Sequence, residues 1–461
     1  MKKRDILIVI AVIAFGIIYN SIRRGDIDFY SGIPDRDWQL KDKNYPYDYT
    51  REEIRLTAGE VDKIEIRNLA GDIEVEKAAA ADTGTIGMDN PGIRIQPVIR
   101  VYHKKKQKAE EISQQIQILT SKTTETTPGQ DGDLGQKQLL RIEVKSEDDF
   151  PYRRARVHFK VVIPETLELS LLTRYGDIAV DGCGKVIHLD EKYGDIAVKN
   201  VDSDLKINHK EGRVAISEVK GHIDLSCRKS RIKIAGVSGL RLDCRLSTVN
   251  IYQVEVSTQI DDAAYSAIIL EEANGCSIEG RQTKIKLRNI KNDVQVKNSH
   301  HSIGMENISG NIRVNANNCR IDLEKITSED VVIKNSYKYV SIDEISAANL
   351  DVSMDNGDLD IAVDQIREKI NIKNRHSKIT LMYPPEVQPS FNIQVLYGSI
   401  ANRTPGELTV YKESTRQVAN SAQQDNKPVI IIDNTYGDVS LENRERKNNG
   451  NSQETTAVQN Q

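Results

Sequence analysis

Aromatic residues and prolines are scarce in this sequence. Aromatic residues make up 5% of the 461 positions, with a single tryptophan, Trp38, and only 12 prolines interrupt the chain. The apolar residues are mostly Ile, Val and Leu, which are enriched in strands. The composition therefore predicts a β-rich globular chain and excludes an intrinsically disordered one.

An excess of charge of either sign is also missing. Lys and Arg number 64, and Asp and Glu number 68, which leaves a formal net charge of −4. Since no basic field covers the whole chain, a nucleic-acid partner is not expected.

The sequence signatures of common catalytic sites are absent as well. The eight histidines are scattered, and there is no G-x-S-x-G, no H-E-x-x-H and no phosphate-binding loop. Some β-helical enzymes cleave polysaccharides with wall carboxylates, and five aspartates lie close in sequence here: Asp351, Asp355, Asp358, Asp360 and Asp364. Strand alternation and turns would point them in different directions. We predict no enzyme, no catalytic residue and no cofactor, and a polysaccharide-acting β-helix is the lesser alternative.

One long apolar run stands near the start of the chain. From Ile6 to Ile22 only Asn20 and Ser21 are polar, and a helix of this length would span about 25 Å, enough for a thin bilayer. A cleaved signal peptide would need a small-x-small site after the run, and "GIIYNSIRR" offers none that is convincing. Residues 6–22 are therefore predicted to enter the lipid bilayer as an uncleaved signal anchor, with cleavage as the rival reading.

The charges beside this run predict its orientation. Lys2, Lys3 and Arg4 precede it, whereas the arginines that follow it, Arg23 and Arg24, are soon offset by aspartates. The positive-inside bias puts the N-terminus in the cytoplasm. The expected location is a single pass through the cell (inner) membrane, with the body periplasmic or extracellular.

An apolar pattern repeats along most of the remaining chain. The stretch "RYGDIAVDGCGKVIHLDEKYGDIAV" contains Tyr-Gly-Asp-Ile twice, eighteen residues apart, at Tyr175 and Tyr193. Each unit reads Φ-x-Φ, six residues, then Φ-x-Φ, where Φ is apolar, and recurs about every eighteen residues. Short strands with one inward face at a fixed period indicate a solenoid. The spacing does not fit the six-residue period of left-handed β-helices, and a propeller blade needs about forty residues. A right-handed parallel β-helix is therefore predicted.

An insertion near the N-terminal end of the repeats interrupts the pattern. Strands are predicted at 93–102, 139–145 and 156–163, and Ala109, Ile112, Ile116 and Leu119 have helical spacing. Solenoids need capping elements that shield the end coil, and this insertion is the natural candidate. The predicted organisation is a cytoplasmic stub and anchor over 1–24, a polar tether over 25–55, a first coil with a β-rich capping insertion and a short helix over 56–165, the solenoid over 166–442 and a disordered tail over 443–461.

The repeat pattern resembles a known family. The segment "FKVVIPETLELSLLTRYGDIAVDGCGKVIHLDEKYGDIAV" has a strand that ends in proline, followed by apolar strands and G-[DS]-I turns. It is similar to the putative-adhesin β-strand-repeat family of bacterial cell-envelope proteins, a domain family of unknown function, over roughly residues 60–442. The resemblance implies a β-solenoid on the outer side of a membrane with an adhesive or envelope role, and it carries no active site.

One column of the predicted coils is basic and lies beside two tyrosines. Its members are Arg174, Lys192, Lys210, Arg228, Arg245 and Arg281, and the first two lie next to Tyr175 and Tyr193. A solvated face with weak ion pairs is the simpler reading. The functional reading is a binding site for an anionic polysaccharide or an anionic lipid head group, with the tyrosines stacked on sugar rings. The Asp of each Tyr-Gly-Asp-Ile occupies a column where Arg and Lys also occur, so it is predicted to be a turn residue.

The five cysteines divide into core residues and one candidate pair. Cys183 and Cys276 occupy inward positions. Cys227 and Cys244 share a column on adjacent coils, about 5 Å apart, and a disulfide is possible in an oxidising compartment. His209 and Glu191 continue this column, but the spacing matches no zinc signature, so no metal is predicted.

These patterns together predict a membrane-anchored extracytoplasmic solenoid. Its expected role is binding, adhesion or scaffolding at the cell envelope. The alternative is an envelope-stress or regulatory protein that binds a protein partner.

Overall fold

The computed structural model describes residues 45–444, except 58, 79–91, 129–133, 147–152, 184, 405–407 and 422–426. The described chain is an all-β solenoid of about 12 turns with 2% helix. The predicted β-solenoid is confirmed. Its right-handed sense stays a prediction that rests on the general handedness of parallel crossovers.

The described part of the chain forms twenty-nine strands and one helix. The helix is α1, Lys106–Gln114. The strands are β1 Pro46–Thr50, β2 Ile54–Leu56, β3 Lys63–Arg67, β4 Ile73–Lys77, β5 Ile93–Tyr102, β6 Ile116–Pro128, β7 Leu134–Ser146, β8 Ala155–Ile163, β9 Glu168–Thr173, β10 Ile178–Asp181, β11 Ile187–Tyr193, β12 Ile196–Val201, β13 Leu205–Arg228, β14 Ser230–Arg245, β15 Thr248–Ala264, β16 Ala267–Ala273, β17 Cys276–Arg281, β18 Lys284–Ile290, β19 Val294–Ser309, β20 Ile312–Ser336, β21 Val340–Asp355, β22 Leu359–Arg375, β23 Ile379–Tyr383, β24 Ser390–Leu396, β25 Ile400–Arg403, β26 Thr409–Glu413, β27 Arg416–Asn420, β28 Val429–Thr435 and β29 Val439–Asn443.

Equivalent apolar residues of successive coils lie in register. Ile178 pairs with Ile196, which pairs with Val214, and all three side chains are buried. Each coil has two strand segments, and we call the stack of segments that carries Ile178, Ile196 and Val214 the second ladder. The first ladder carries Ile187 and its partner Leu205, from the other half of each coil. Because every second residue points inward, the two ladders enclose one continuous apolar core.

A left-handed backbone residue marks the end of the second ladder on many coils. The residue before the final apolar position has a φ of 54° at Asn200, 56° at Glu218 and 57° at Asn307. Such a φ bends the chain sharply, and it is least costly for glycine and asparagine. The bend turns the following residue, such as Val201 or Val219, back into the core.

The N-terminal end of the solenoid departs from chain order. Strands β3 and β4 stack between β7 and β8 on one side and β9 and β10 on the other. Antiparallel strands then extend the sheet outward, with β6 against β7, β5 against β8, and β1 and β2 against β5. Helix α1 contacts β5, β1 and β6. The strands predicted at 93–102, 139–145 and 156–163 are present as β5, β7 and β8.

Two predictions in this region need correction. Residues 46–50 and 54–56, assigned to a polar tether, are strands β1 and β2, because Tyr47 and Tyr49 pack on the core and Asp48 forms an ion pair with Arg100. The helix ends at Gln114, whereas Ile116 and Leu119 belong to β6. That stretch is a strand since β6 pairs with β7 over thirteen residues.

The C-terminal end shows the same departure from chain order. Val439 of β29 pairs with Ile379 of β23 on one side and with Ile400 of β25 on the other. The last described coil, β28 and β29, therefore lies between two coils that precede it in sequence. The hairpin of β26 and β27 then covers the edge of β24.

Within residues 45–444 as described, no helix is long and apolar enough to cross a membrane. The predicted anchor over residues 6–22 and the tail after residue 444 lie outside the described residues.

Candidate functional site

The repeated Tyr-Gly-Asp-Ile forms the corner between the two ladders. Ile178 and Ile196 are buried in the core, as predicted. A Cβ atom on Gly194 would lie 2.3 Å from the carbonyl oxygen of Gly176, one coil away. Successive coils therefore approach too closely here for a side chain, and the glycine is structural.

The aspartates of the motif connect one coil to the next through hydrogen bonds. The Asp177 N–H donates to Asp72 Oδ1 at 3.0 Å, and the Asp195 N–H donates to Asp177 Oδ1 at 2.8 Å. The chain of bonds continues to the Arg213 N–H, which donates to Asp195 at 2.8 Å. Burial raises the pKa of Asp177. Each carboxylate thus accepts a hydrogen bond from a turn N–H, which confirms that these aspartates are turn residues. Among the described residues, no group of three His, Cys, Asp or Glu side chains is arranged to hold a metal.

The two tyrosines of the motif stack on each other. Their ring centroids are 5.3 Å apart at an interplanar angle of 13°. Arg174 lies 5.3 Å from the Tyr175 centroid, and Lys210 Nζ lies 5.1 Å from that of Tyr193. Lys210 also donates a 3.1 Å hydrogen bond to the Tyr193 hydroxyl, which lowers the pKa of that tyrosine. Tyr193 is therefore covered by Tyr175 from the preceding coil and by Lys210 from the following one, so the predicted sugar stacking would have to displace a lysine.

The basic column is exposed and lies along the same corner. Arg174, Lys192, Lys210, Arg228 and Arg245 are all exposed to solvent. Arg228 and Arg245 are register partners, and Ala264 then interrupts the column before Arg281. Arg245 forms an ion pair with Asp262. Among the described residues, Arg174, Lys192, Lys210 and Arg228 have no carboxylate in ion-pair contact, although Arg174 and Lys210 lie against tyrosine rings.

A second aromatic stack lies at the C-terminal end and was missed by the sequence reasoning. The Tyr436 ring lies between His376, with centroids 5.0 Å apart, and Tyr397, with centroids 4.7 Å apart. The sequence places Tyr397 and Tyr436 in the same column, but the insertion of β28 and β29 is what brings Tyr436 between its two neighbours. The recurring Tyr-Gly pair at 397 and 436 was the only signal in the sequence.

A shallow groove on the outer face of the second ladder was also missed. It has a volume of about 880 Å³, and Ala179, Ala197 and Ala215 lie in register along its floor. Tyr252 and Ile269 line its far end and are 42% and 36% exposed. The repeated Asp-Ile-Ala-Val at 177 and 195 was the available signal, because small outward residues on successive coils leave a depression.

Serine, histidine and glutamate meet inside the solenoid rather than on its surface. His209 Nδ1 lies 2.7 Å from Ser230 Oγ, and His209 Nε2 lies 3.1 Å from Glu191 Oε2. Burial raises the pKa of Glu191, although the hydrogen bond with His209 opposes the effect. Because the His209 and Glu191 side chains are fully buried, no substrate reaches this trio and its role is structural.

The five aspartates between residues 351 and 364 have separate partners. Asp351 accepts a hydrogen bond from Asn371, Asp360 from the Tyr339 hydroxyl, and Asp358 from the backbone N–H of Lys378. Asp355 and Asp364 form ion pairs with Arg375 and Arg444. Asp351 and Asp355 lie in β21, Asp358 lies in the turn that follows, and Asp360 and Asp364 lie in β22, so each carboxylate has its own partner.

The candidate cysteine pair is buried and in register. Cys227 of β13 is the register partner of Cys244 of β14, and both are thiols in this structure. Contact with the Cys244 thiol, followed by burial, raises the pKa of Cys227 well above its usual range. Cys183 and Cys276 are buried, as predicted, and burial raises the pKa of each to about 12.

Comparison with known proteins supports the family resemblance. Residues 277–442 match the family model described as Toastrack DUF4097, a domain of unknown function. No protein of curated function matches the chain. Among solved structures, the chain is similar to a putative cell adhesion protein from Clostridium sporogenes ATCC 15579, at 10% identity and a TM-score of 0.14 over 87% of this chain and 100% of that one. It is similar also to a putative adhesin from Bacteroides fragilis NCTC 9343, at 11% identity and a TM-score of 0.16 over 86% of this chain and 97% of that one.

Proposed function

With residues 277–442 matched to the Toastrack family, we propose that this chain is a binding module of the cell envelope whose basic column holds a linear anionic polysaccharide. The observation that carries the proposal is a run of exposed cations that have no carboxylate partner within the described part of the chain: Arg174, Lys192, Lys210 and Arg228. Stacked parallel coils place such residues about 4.8 Å apart along a straight line. A regular row of charge suits a polymer that carries one negative group per repeat.

The chemistry of this surface favours many weak contacts. An exposed ion pair contributes about 0.2–1 kcal/mol, so a single cation would not hold a ligand. Several cations in one row can bind the same polysaccharide molecule, because the first contact raises the effective concentration of its remaining negative groups near the other cations. Binding of this kind falls as salt rises, since exposed charges are screened within about 10 Å at 0.1 M ionic strength.

Charge reversal on the column tests the proposal. The triple variant Arg174→Glu, Lys192→Glu and Arg228→Glu, made in the full-length chain in detergent, should weaken binding to a polyuronate by at least about tenfold, or about 1.4 kcal/mol. A matched control with the same change of net charge is Lys291→Glu, Arg313→Glu and Lys369→Glu, since these three are also exposed. Isothermal titration against the polyuronate and against a neutral glucan gives the measurement. Equal binding by both triple variants would refute the site.

The same proposal includes a location. We infer that residues 6–22 anchor the chain in the cell membrane and that the body lies outside the cytoplasm, on the strength of the apolar run and its flanking charges. Protease added to intact spheroplasts should digest the body and leave a membrane-bound stub. A body protected until the cells are lysed would contradict the orientation.

Binding of a protein partner is the alternative function. It predicts that the control and column variants both retain a partner in pull-downs from envelope extract and that the polyuronate does not compete. Retention of the partner with no polyuronate binding at all would replace the first proposal.

A further inference from the structure

We propose that Cys227 and Cys244 are joined by a disulfide in the mature protein, so that strands β13 and β14 are covalently linked inside the solenoid. The inference rests on the proposed extracytoplasmic location, because disulfides persist in oxidising compartments. It does not depend on the ligand of the basic column.

The backbone geometry already suits the bond. The two residues are register partners on neighbouring parallel strands, which places their Cα atoms about 4.8 Å apart. Disulfides span Cα separations of roughly 4.4–6.8 Å. Both side chains point into the core, with 7% exposure for Cys227 and 0% for Cys244, so they face the same enclosed space.

The other three cysteines have no such partner. Cys276 is in register with Thr258 and Val294, and Cys319 is in register with His301. Cys183 lies at the bend after β10. The chain therefore contains one adjacent pair and three buried single thiols, which serve as internal controls.

The chemistry requires an external oxidant, a protein or small-molecule disulfide. One cysteine thiolate attacks a sulfur of the oxidant and forms a mixed disulfide, and one oxidant thiol leaves. The second cysteine thiolate then attacks the first cysteine's sulfur and expels the remaining oxidant thiol. Two cysteine thiols lose two protons and two electrons, and the oxidant disulfide becomes two thiols.

Burial sets the order of events. The raised pKa of Cys227 leaves little thiolate in the folded chain, and the folded chain gives a bulky oxidant no access to Cys244. The bond therefore forms before β14 has stacked on β13. For the same reason, a reductant added to the native protein should act slowly, and it should act rapidly once a denaturant opens the coils.

Counting free thiols tests the inference. Full-length protein is taken from the envelope without reductant and alkylated in denaturant. The chain has five cysteines, so five minus two predicts three free thiols, and peptide mapping should find the 227–244 link. Cys227→Ser frees Cys244 and should raise the count from three to four. Cys276→Ser removes a single thiol and should lower it from three to two.

The outcomes separate this inference from the proposed function. Five free thiols in protein from cells, and again after refolding with a small-molecule disulfide, would overturn the link while leaving the basic column untouched. Five free thiols in protein from cells, but three after refolding with the small-molecule disulfide, would show that the link does not form naturally. That result would also count against the extracytoplasmic location. Three in both supports the link.

Discussion

At the scale of single residues, the corner glycines are set by the distance between coils. A Cβ atom on Gly194 would lie 2.3 Å from Gly176 O and 3.0 Å from Glu191 Oε1. The sequence predicts a small residue in this column from the recurrence of Gly and Ser. It does not show the backbone carbonyl of the neighbouring coil, which is the physical reason.

Gly194→Ala should therefore destabilise the protein by roughly 1–3 kcal/mol, the usual effect of overpacking a tight site. Gly304→Ala is the matched control, since an added Cβ there meets no atom within 4 Å. Thermal unfolding of both variants gives the comparison. A loss of stability in Gly304→Ala as large as that in Gly194→Ala would contradict the close approach of the coils at Gly194.

The buried Glu191 and His209 are a second residue-scale feature. His209 Nε2 lies 3.0 Å from Gly194 O and 3.1 Å from Glu191 Oε2, and the Tyr193 N–H donates to Glu191 Oε1 at 2.5 Å. The sequence aligned Glu191 with His209 on one column and therefore predicted their proximity. It did not predict Ser230 as the third member, because Ser230 belongs to the column of corner glycines and serines, three positions further along each coil.

His209→Ala should cost about 3–5 kcal/mol, because it leaves the Glu191 carboxylate buried without its partner. Adding Glu191→Gln removes the charge and should recover part of that loss. Denaturant unfolding of the single and double variants measures both effects, with His188→Ala on the outward side of β11 as the control. No recovery in the double variant would show that packing, and not the unpaired charge, sets the cost.

At the scale of strands and coils, both ends of the solenoid contain a coil out of chain order. The sequence gives every coil the same apolar pattern, so the period predicts their shape and burial correctly. It cannot tell which coil stacks on which, because Ile379, Ile400 and Val439 are interchangeable in that pattern. The strand pairing gives the order: β29 lies between β23 and β25, and β3 lies between β7 and β9.

Removal of the inserted C-terminal coil tests this order. A chain that ends at Ser421 lacks β28 and β29, so β23 and β25 both lose the strand that lies between them. Their amides should lose protection from hydrogen exchange, whereas those of β13 to β18 should keep it, because stability in a solenoid comes mainly from adjacent coils. A chain that ends at residue 444 is the control. Full protection of β23 in the shorter chain would contradict the inserted arrangement.

At the scale of the whole molecule, the solenoid converts a short sequence repeat into straight rows of side chains. The basic column was predicted from its spacing alone, and its exposure and register from Arg228 to Arg245 agree with the prediction. The stacking of Tyr175, Tyr193 and Lys210 was not predicted, because a period fixes the column of a side chain but not the direction in which an exposed ring leans. The surface that results exposes cations and a tyrosine edge more than open ring faces.

The most direct test of this account is the affinity of the full-length chain for oligogalacturonates of increasing length at fixed low salt. If the cations from Arg174 to Arg228 act as one row of about 14 Å, affinity should rise with each added uronate until the ligand spans the row and then level off. The triple charge-reversal variant should show no such rise. An affinity that does not depend on ligand length, or a length dependence that the variant retains, would contradict the claim that the coils present a binding row.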